Sequence, residues 1–454
     1  MKLLIGMVAV IAGALSVIGV DQPAFAGQDY CTQISCYGPG QIQQAYGLPE
    51  LYARGITGKG VTIAVVDAYG SPTLPSDLRT FDEATGLPAP PAFTVVSPGG
   101  QLPASGDAST WAVETTLDVE YAHVVAPQAR IVVAEALPDV SDFISAEQYV
   151  VSHYHAEVIS QSLTMAEQMF GTEANVAANH AAYAGLVDAG VTVVASSGDT
   201  GAANTGPDGV TYYQGPVASY PASDPLVTAV GGTDLSLTAS GSRTVPDTVW
   251  NDTYNTATNE TDYGDVGPNP LASGGGTSML FARPAYQNGV RSVVGSARGV
   301  PDVSMSAACS APVEIYLTDG PGPSDWYPAC GTSEAAPLFA GVVALADQLA
   351  GHGLGQVNPA LYQLAAAHAS GIVPVTSGST TVSFYQDGAE HTVTGYRAGS
   401  GYSLATGVGT INASAFVPEL VAQITRDTTT SVPQAVRLPT PAERAGLDGP
   451  SSGA

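Results

Sequence analysis

The sharpest chemical signal is Gly331-Thr332-Ser333-Glu334-Ala335-Ala336-Pro337, which opens an apolar stretch running through Phe339, Val342 and Val343. A serine at the mouth of a helix sits beside free backbone N–H groups and the positive end of the helix dipole, where a developing oxyanion is stabilised. The plain alternative is that Thr332 or Ser333 caps the helix. A nucleophilic serine needs a base, most often histidine. The histidines are His123, His153, His155, His180, His352, His368 and His391, and none lies in a Gly-rich turn that would carry it to a sheet edge. Carboxylates are the other source. Glu114 and Asp118 stand four apart in a stretch from Trp111 to His123 that reads as a helix closed by Pro127. That spacing puts both groups on one helix face, close enough to share a proton. Such a pair is usually a solvated face, but no Lys or Arg lies in this helix to partner it and the flanking residues are largely apolar. The third element is Val193-Val-Ala-Ser-Ser197-Gly198-Asp199-Thr-Gly201, an apolar run entering a glycine-bracketed turn. Taken alone, Asp199 reads as a turn aspartate bonded to its own backbone.

Elements that could position these residues are legible nearby. Residues 61–66, Val-Thr-Ile-Ala-Val-Val, form a nearly continuous β-branched run preceded by Gly58 and Gly60, and similar runs occupy 129–134, 156–160 and 191–195. Helical patterns cover 112–125, 173–189 and 335–350. Buried strands alternating with helices predict an α/β domain with a parallel sheet covered on both faces, and a site at the carboxyl ends of its strands. Residues 241–276, rich in Thr, Asn, Asp and Gly, read as a long decorated excursion.

The whole composition narrows the partners. The 454 residues carry 13 Lys+Arg against 40 Asp+Glu, a formal charge of -27, which excludes a nucleic-acid binder that neutralises phosphates. With 44% hydrophobic and 12% charged residues, the chain has ample material for a core. Lysine occurs only at Lys2 and Lys59, so most carboxylates lack a basic partner, a composition suited to an acidic medium. Lys2, an apolar run over residues 3–20 and Pro23-Ala24-Phe25-Ala26 make a secretory signal ending at Ala26; a membrane anchor is the competing reading. Four cysteines in the exported part favour disulfides over a metal site, with Cys31 pairing Cys36 and Cys309 pairing Cys330. Residues 27–425 are expected to form the folded domain. The Thr-, Pro-, Ser- and Gly-rich residues 426–454 are expected to be a disordered tail.

Together these elements resemble the sedolisins, serine-carboxyl peptidases that share the subtilisin fold and use glutamate where subtilisin uses histidine. Glu114-x-x-x-Asp118, Ser197-Gly198-Asp199 and Gly331-Thr332-Ser333-x-x-x-Pro337 occur in the family's order. Further similar stretches begin at Tyr220, Val249, Ser273, Arg298 and Gly355, so the likeness runs over about residues 46–421. The resemblance implies a subtilisin-like three-layer sandwich with a mainly parallel central sheet. It implies Ser333 as nucleophile, Glu114 as general base and then acid, Asp118 as its orienting partner, and Asp199 as an oxyanion-hole group that donates only when protonated. It also implies substrate contacts at Ser162, Leu163 and Gly275, and protein or peptide substrates cut in acid outside the cell. No nucleic-acid partner is expected, and no membrane contact after signal cleavage.

Three departures shape the expectations. The family's calcium carboxylates correspond to Pro374 and Ser403, so no calcium is expected there, with Asp387 and Glu390 a weak substitute. Little chain separates Ala26 from the Gly38-Pro-Gly-Gln start, so the expectation is a chain without the family's propeptide, folding unaided or with a helper in trans. Leu163 replaces the tryptophan of the family's Ser-x-Ser-Trp-Gly strand and should reshape the cleft. Two other readings stay open: a histidine-based subtilisin-like peptidase with Asp67 as the orienting acid, and an inert secreted binding protein on the same fold. Sequons at Asn251, Asn259 and Asn412 matter only where the host glycosylates exported chains.

Overall fold

A computed structural model describes residues 36–103, 108–255, 267–318 and 325–428. The signal sequence, Cys31 and residues 429–454 lie outside the described residues. The β-branched runs become strands of one sheet: β1 (Thr62–Ala68), β2 (Phe93–Val96), β3 (Arg130–Ala136), β4 (Val158–Gln161), β5 (Thr192–Ser196), β6 (Val227–Asp234) and β7 (Val303–Ser306). Their order is β7-β6-β5-β4-β1-β3-β2, and every neighbouring pair is parallel. A two-residue strand, Thr248–Val249, adds antiparallel to β6. Every residue of β1, β4 and β5 is buried, the pattern of a sheet covered on both faces.

The helices supply the two covers. On one face lie α1 (Leu74–Thr85), α2 (Ala108–Val125), α5 (Thr332–Ala350), α6 (Asn358–Ala366) and α7 (Ala413–Thr428). On the other face lie α3 (Val140–Tyr154) and α4 (Glu173–Asp188), which close a second core with Val66, Ala134, Ile159 and Val193. This is the three-layer α/β sandwich expected from the sequence.

Helix α5 is the centre of the molecule. All its residues from Thr332 to Asp347 are buried, because it packs on β1, β4, β5, β6 and β7 below and on α2 beside it. A helix apolar on every side is stable only in such a place. Helix α7 runs to Thr428, past Arg426 where the composition first turns tail-like. Cys309 and Cys330 form the expected disulfide. Cys36 is disulfide-bonded as well.

Candidate active site

The contact between α2 and α5 creates the site. Glu114 and Asp118 sit in the middle of α2, and Ser333 is the second residue of α5. All three are buried, with relative exposures of 2%, 0% and 1%. At the carboxyl ends of the strands, Asp67 lies in β1, Ser162 follows β4 and Asp199 follows β5, as a parallel sheet dictates.

The site is defined by polar groups that lack partners. The hydroxyl of Ser333 makes no formed hydrogen bond, and neither do the two oxygens of Glu114. Ser333 still lies near enough for its hydroxyl to lower the Glu114 pKa. Burial pushes the Glu114 carboxyl well above its ordinary value, and the nearby Asp67 carboxyl pushes it further. Asp118 is raised by burial first, then by Asp67 and Glu114. Its Oδ1 accepts a 2.9 Å hydrogen bond from Ser162 Oγ, while Oδ2 has none. Three carboxyls thus crowd one dry space, where they cannot all ionise cheaply.

Asp67 is the residue whose place sequence reasoning missed. It had a role only in the histidine-based alternative, yet it is fully buried, without a formed hydrogen bond, and burial raises it to about 7. Its position at the end of the first strand was the available signal. The histidines with buried partners are engaged elsewhere: His123 lies 3.2 Å from Asp82, and His180 lies 3.0 Å from Asp224.

Asp199 is fixed by the turn that opens α5. Its Oδ1 accepts from the backbone N–H and the hydroxyl of Thr332, both at 2.7 Å, and the Thr332 hydroxyl in turn accepts from the Gly198 N–H at 3.0 Å. Gly331, at φ 106°, lets the chain pass so close that a side chain there would meet Asp199 Oδ2 at 2.8 Å. The acid therefore stands against the amino end of α5, where an oxyanion would form.

The three residues assigned to substrate contact are all buried. Ser162 turns its hydroxyl inward to Asp118, Leu163 packs into the core beneath α3 and α4, and Gly275 passes against the Leu404 carbonyl.

The family's calcium place does not fit a hard dication here. The Ser403 hydroxyl accepts from the Thr406 N–H at 3.2 Å and lies 3.1 Å from the Thr406 hydroxyl, so a turn closed by its own hydrogen bonds stands where a carboxylate would. Pro374 offers no carboxylate. Glu390 accepts from the Tyr254 hydroxyl, and Asp387 sits in a hairpin turn. Among the described residues no group of three His, Cys, Asp or Glu side chains could hold a metal ion.

A model of the Subtilase family matches residues 104–373, more than half of the chain. The chain belongs to the subtilase family. Within it the likeness is to the sedolisins. Kumamolisin of Bacillus sp. (strain MN-32) is 31% identical over 83% of this chain and 62% of its own length. Sedolisin of Pseudomonas sp. (strain 101) is 28% identical over 78% of this chain and 57% of its own length. The chain thus spans about three fifths of the length of these relatives. The solved Pseudomonas sedolisin, a serine-carboxyl proteinase complexed with pseudo-iodotyrostatin, superposes with a TM-score of 0.69 at 25% identity, covering 87% of this chain and 99% of that one. Among the described residues no helix is long and apolar enough to cross a membrane.

Proposed function

We propose that the chain is a secreted serine-carboxyl endopeptidase that hydrolyses protein or peptide substrates in acid. The observation that carries this reading is the apposition of Ser333 and Glu114 on two packed helices, both buried and neither bound to another group. In the reaction, Ser333 Oγ attacks the peptide carbonyl carbon while Glu114 takes its proton. The carbonyl oxygen becomes an oxyanion at the amino end of α5, where the protonated Asp199 donates to it. The tetrahedral adduct collapses as Glu114 returns the proton to the leaving amine. Water then repeats the sequence on the acyl-enzyme, with Glu114 again base and then acid. Asp118, one turn along the same helix, shares the proton of the pair.

The pH dependence follows from these roles. One proton must leave the Glu114/Asp118 pair for the serine to be activated, and Asp199 must keep its own. Activity then rises as the pair ionises and falls as Asp199 does. Calcium has no step in this scheme, and the turn at Ser403 supports a chain that works without it. Nucleic acid and membranes are not among its proposed partners.

The test is cleavage of a denatured protein at about pH 3 to 5, where shared carboxyl pairs titrate, beside Ser333→Ala. Activity lost with Ser333 supports the reading. Equal cutting by both chains, or none at any pH, overturns it.

A further inference from the structure

One hydroxyl in the site addresses both halves of the machinery. Ser162 follows β4, is fully buried, and places Oγ 2.9 Å from Asp118 Oδ1 and 3.5 Å from the main-chain carbonyl of Ser333. That carbonyl is available because of the sequence of α5. In a helix it would accept from the N–H four residues on, but that residue is Pro337, which has none. A buried carbonyl without a donor is costly, and Ser162 is the side chain turned to it.

A hydroxyl has one proton and two acceptor lone pairs. When Asp118 is ionised, the proton of Ser162 serves the carboxylate, the stronger of the two acceptors. When the pair is loaded, a protonated carboxyl can donate to Ser162 Oγ, and the hydroxyl proton is released to the Ser333 carbonyl. From these distances we infer that Ser162 is a positioning residue whose hydroxyl alternates between Asp118 and the backbone of the nucleophile as the carboxyl pair gains and loses its proton. The inference rests on the peptidase reading. It gives the inward-facing Ser162 a task that substrate contact does not.

The groups that act on the pair besides Ser162 are the Ser333 hydroxyl and two carboxyls, Asp67 from β1 and Asp199 from the loop after β5. Glu334, next to Ser333 on α5, is also buried. The serine is a donor to the ionised form, and it lowers the pKa of both Glu114 and Asp118. Removing it therefore disfavours the charged pair and moves its ionisation to higher pH.

The experiment is the pH profile of kcat and KM on one peptide substrate for wild type, Ser162→Ala and Ser162→Thr, with thermal midpoints measured alongside. For Ser162→Ala the expected result is a kcat lower by about 10- to 100-fold, the usual worth of a hydrogen bond to a charged group, with KM little changed. The acid limb should move upward while the alkaline limb stays. Ser162→Thr, which keeps the hydroxyl, should restore most of both. A uniform drop at every pH, or a change confined to KM, overturns the proposal. Should the alanine variant not fold, Ser162→Cys, a weak donor of similar size, is read in its place. A wild-type enzyme that does not need Ser333 would sink the peptidase reading. A Ser333-dependent enzyme whose acid limb ignores Ser162 sinks only this one.

Discussion

Asp302 and Glu114 are both carboxyls withdrawn from water, and they are held in opposite ways. Asp302, beside β7, accepts from Arg298 at 2.6 and 2.5 Å, from the Tyr362 hydroxyl at 2.9 Å and from the Ala229 N–H at 2.9 Å, two donors to each oxygen. Glu114 has no formed hydrogen bond, and its neighbours Asp67 and Asp118 are carboxyls like itself. The first arrangement fills both oxygens of the carboxyl with donors and holds Arg298, itself fully buried. The second keeps proton affinity high and leaves the group ready to exchange a proton. Satisfied burial makes structure, and unsatisfied burial beside a nucleophile makes a base.

The contrast can be broken by exchanging consequences. Glu114→Gln should abolish turnover, by about 10⁴-fold or more, since a residue acting as one unit with its nucleophile is lost whole. Its thermal midpoint should hold, because an amide replaces a group that was neutral or strained. Asp302→Asn should do the reverse. It strands Arg298 in the interior at a cost of about 3–5 kcal/mol, while activity per folded molecule stays near wild type. Thermal melts and active-site-normalised rates decide both, and a stable, inactive Asp302→Asn would dissolve the distinction.

The sequence announces the second arrangement better than the first. The i, i+4 spacing of Glu114 and Asp118 on a helix without Lys or Arg is visible in one dimension, as are the runs that become β1, β3, β4 and β5. Helix α3 carries a local signal too: Asp139 caps it, accepting from the N–H groups of Ser141 and Asp142. Strand β6 was hidden by Gly231 and Gly232, which depress strand propensity. Asp67 was hidden for another reason. A strand-end residue acquires neighbours from the helix that crosses it, and no local pattern of β1 records that α2 brings two more carboxyls there. The inward turn of Ser162 is equally a tertiary fact, since the carboxyl it meets is Asp118 of α2.

Buried carboxyls with raised proton affinity also occur outside the Glu114 cluster, and they bear on stability. Glu334 is fully buried with no formed hydrogen bond, and burial raises it to about 8; Glu167, between Ser278 and Met279, is raised to about 7. The folded chain holds these protons at a pH where the unfolded chain has released them. Their contribution is therefore complete below the ordinary carboxylate range and is lost as pH rises through 7 to 8. Each such group tilts stability by about 1.4 kcal/mol per pH unit within that window. The thermal midpoint should fall steadily from pH 4 to pH 8, and Glu334→Gln should flatten the upper part of the fall. A midpoint that climbs toward neutrality would contradict the burial of these groups.

The smallest effect tests the comparison most finely. Asp67, raised to about 7 by burial, is neutral in acid, so it should behave there as a space-filling acid and not as a charge. Asn copies the neutral carboxyl closely in shape. Asp67→Asn should keep kcat/KM within about threefold at pH 4, where an uncharged neighbour leaves the Glu114/Asp118 pair unmoved. The same substitution should raise the thermal midpoint at pH 8, where wild-type Asp67 would otherwise be forced to ionise against Glu114 and Asp118. A loss of tenfold or more at pH 4 would mean that Asp67 carries the charge itself. The unsatisfied cluster would then have to be redrawn with Glu114 and Asp118 sharing two protons instead of one.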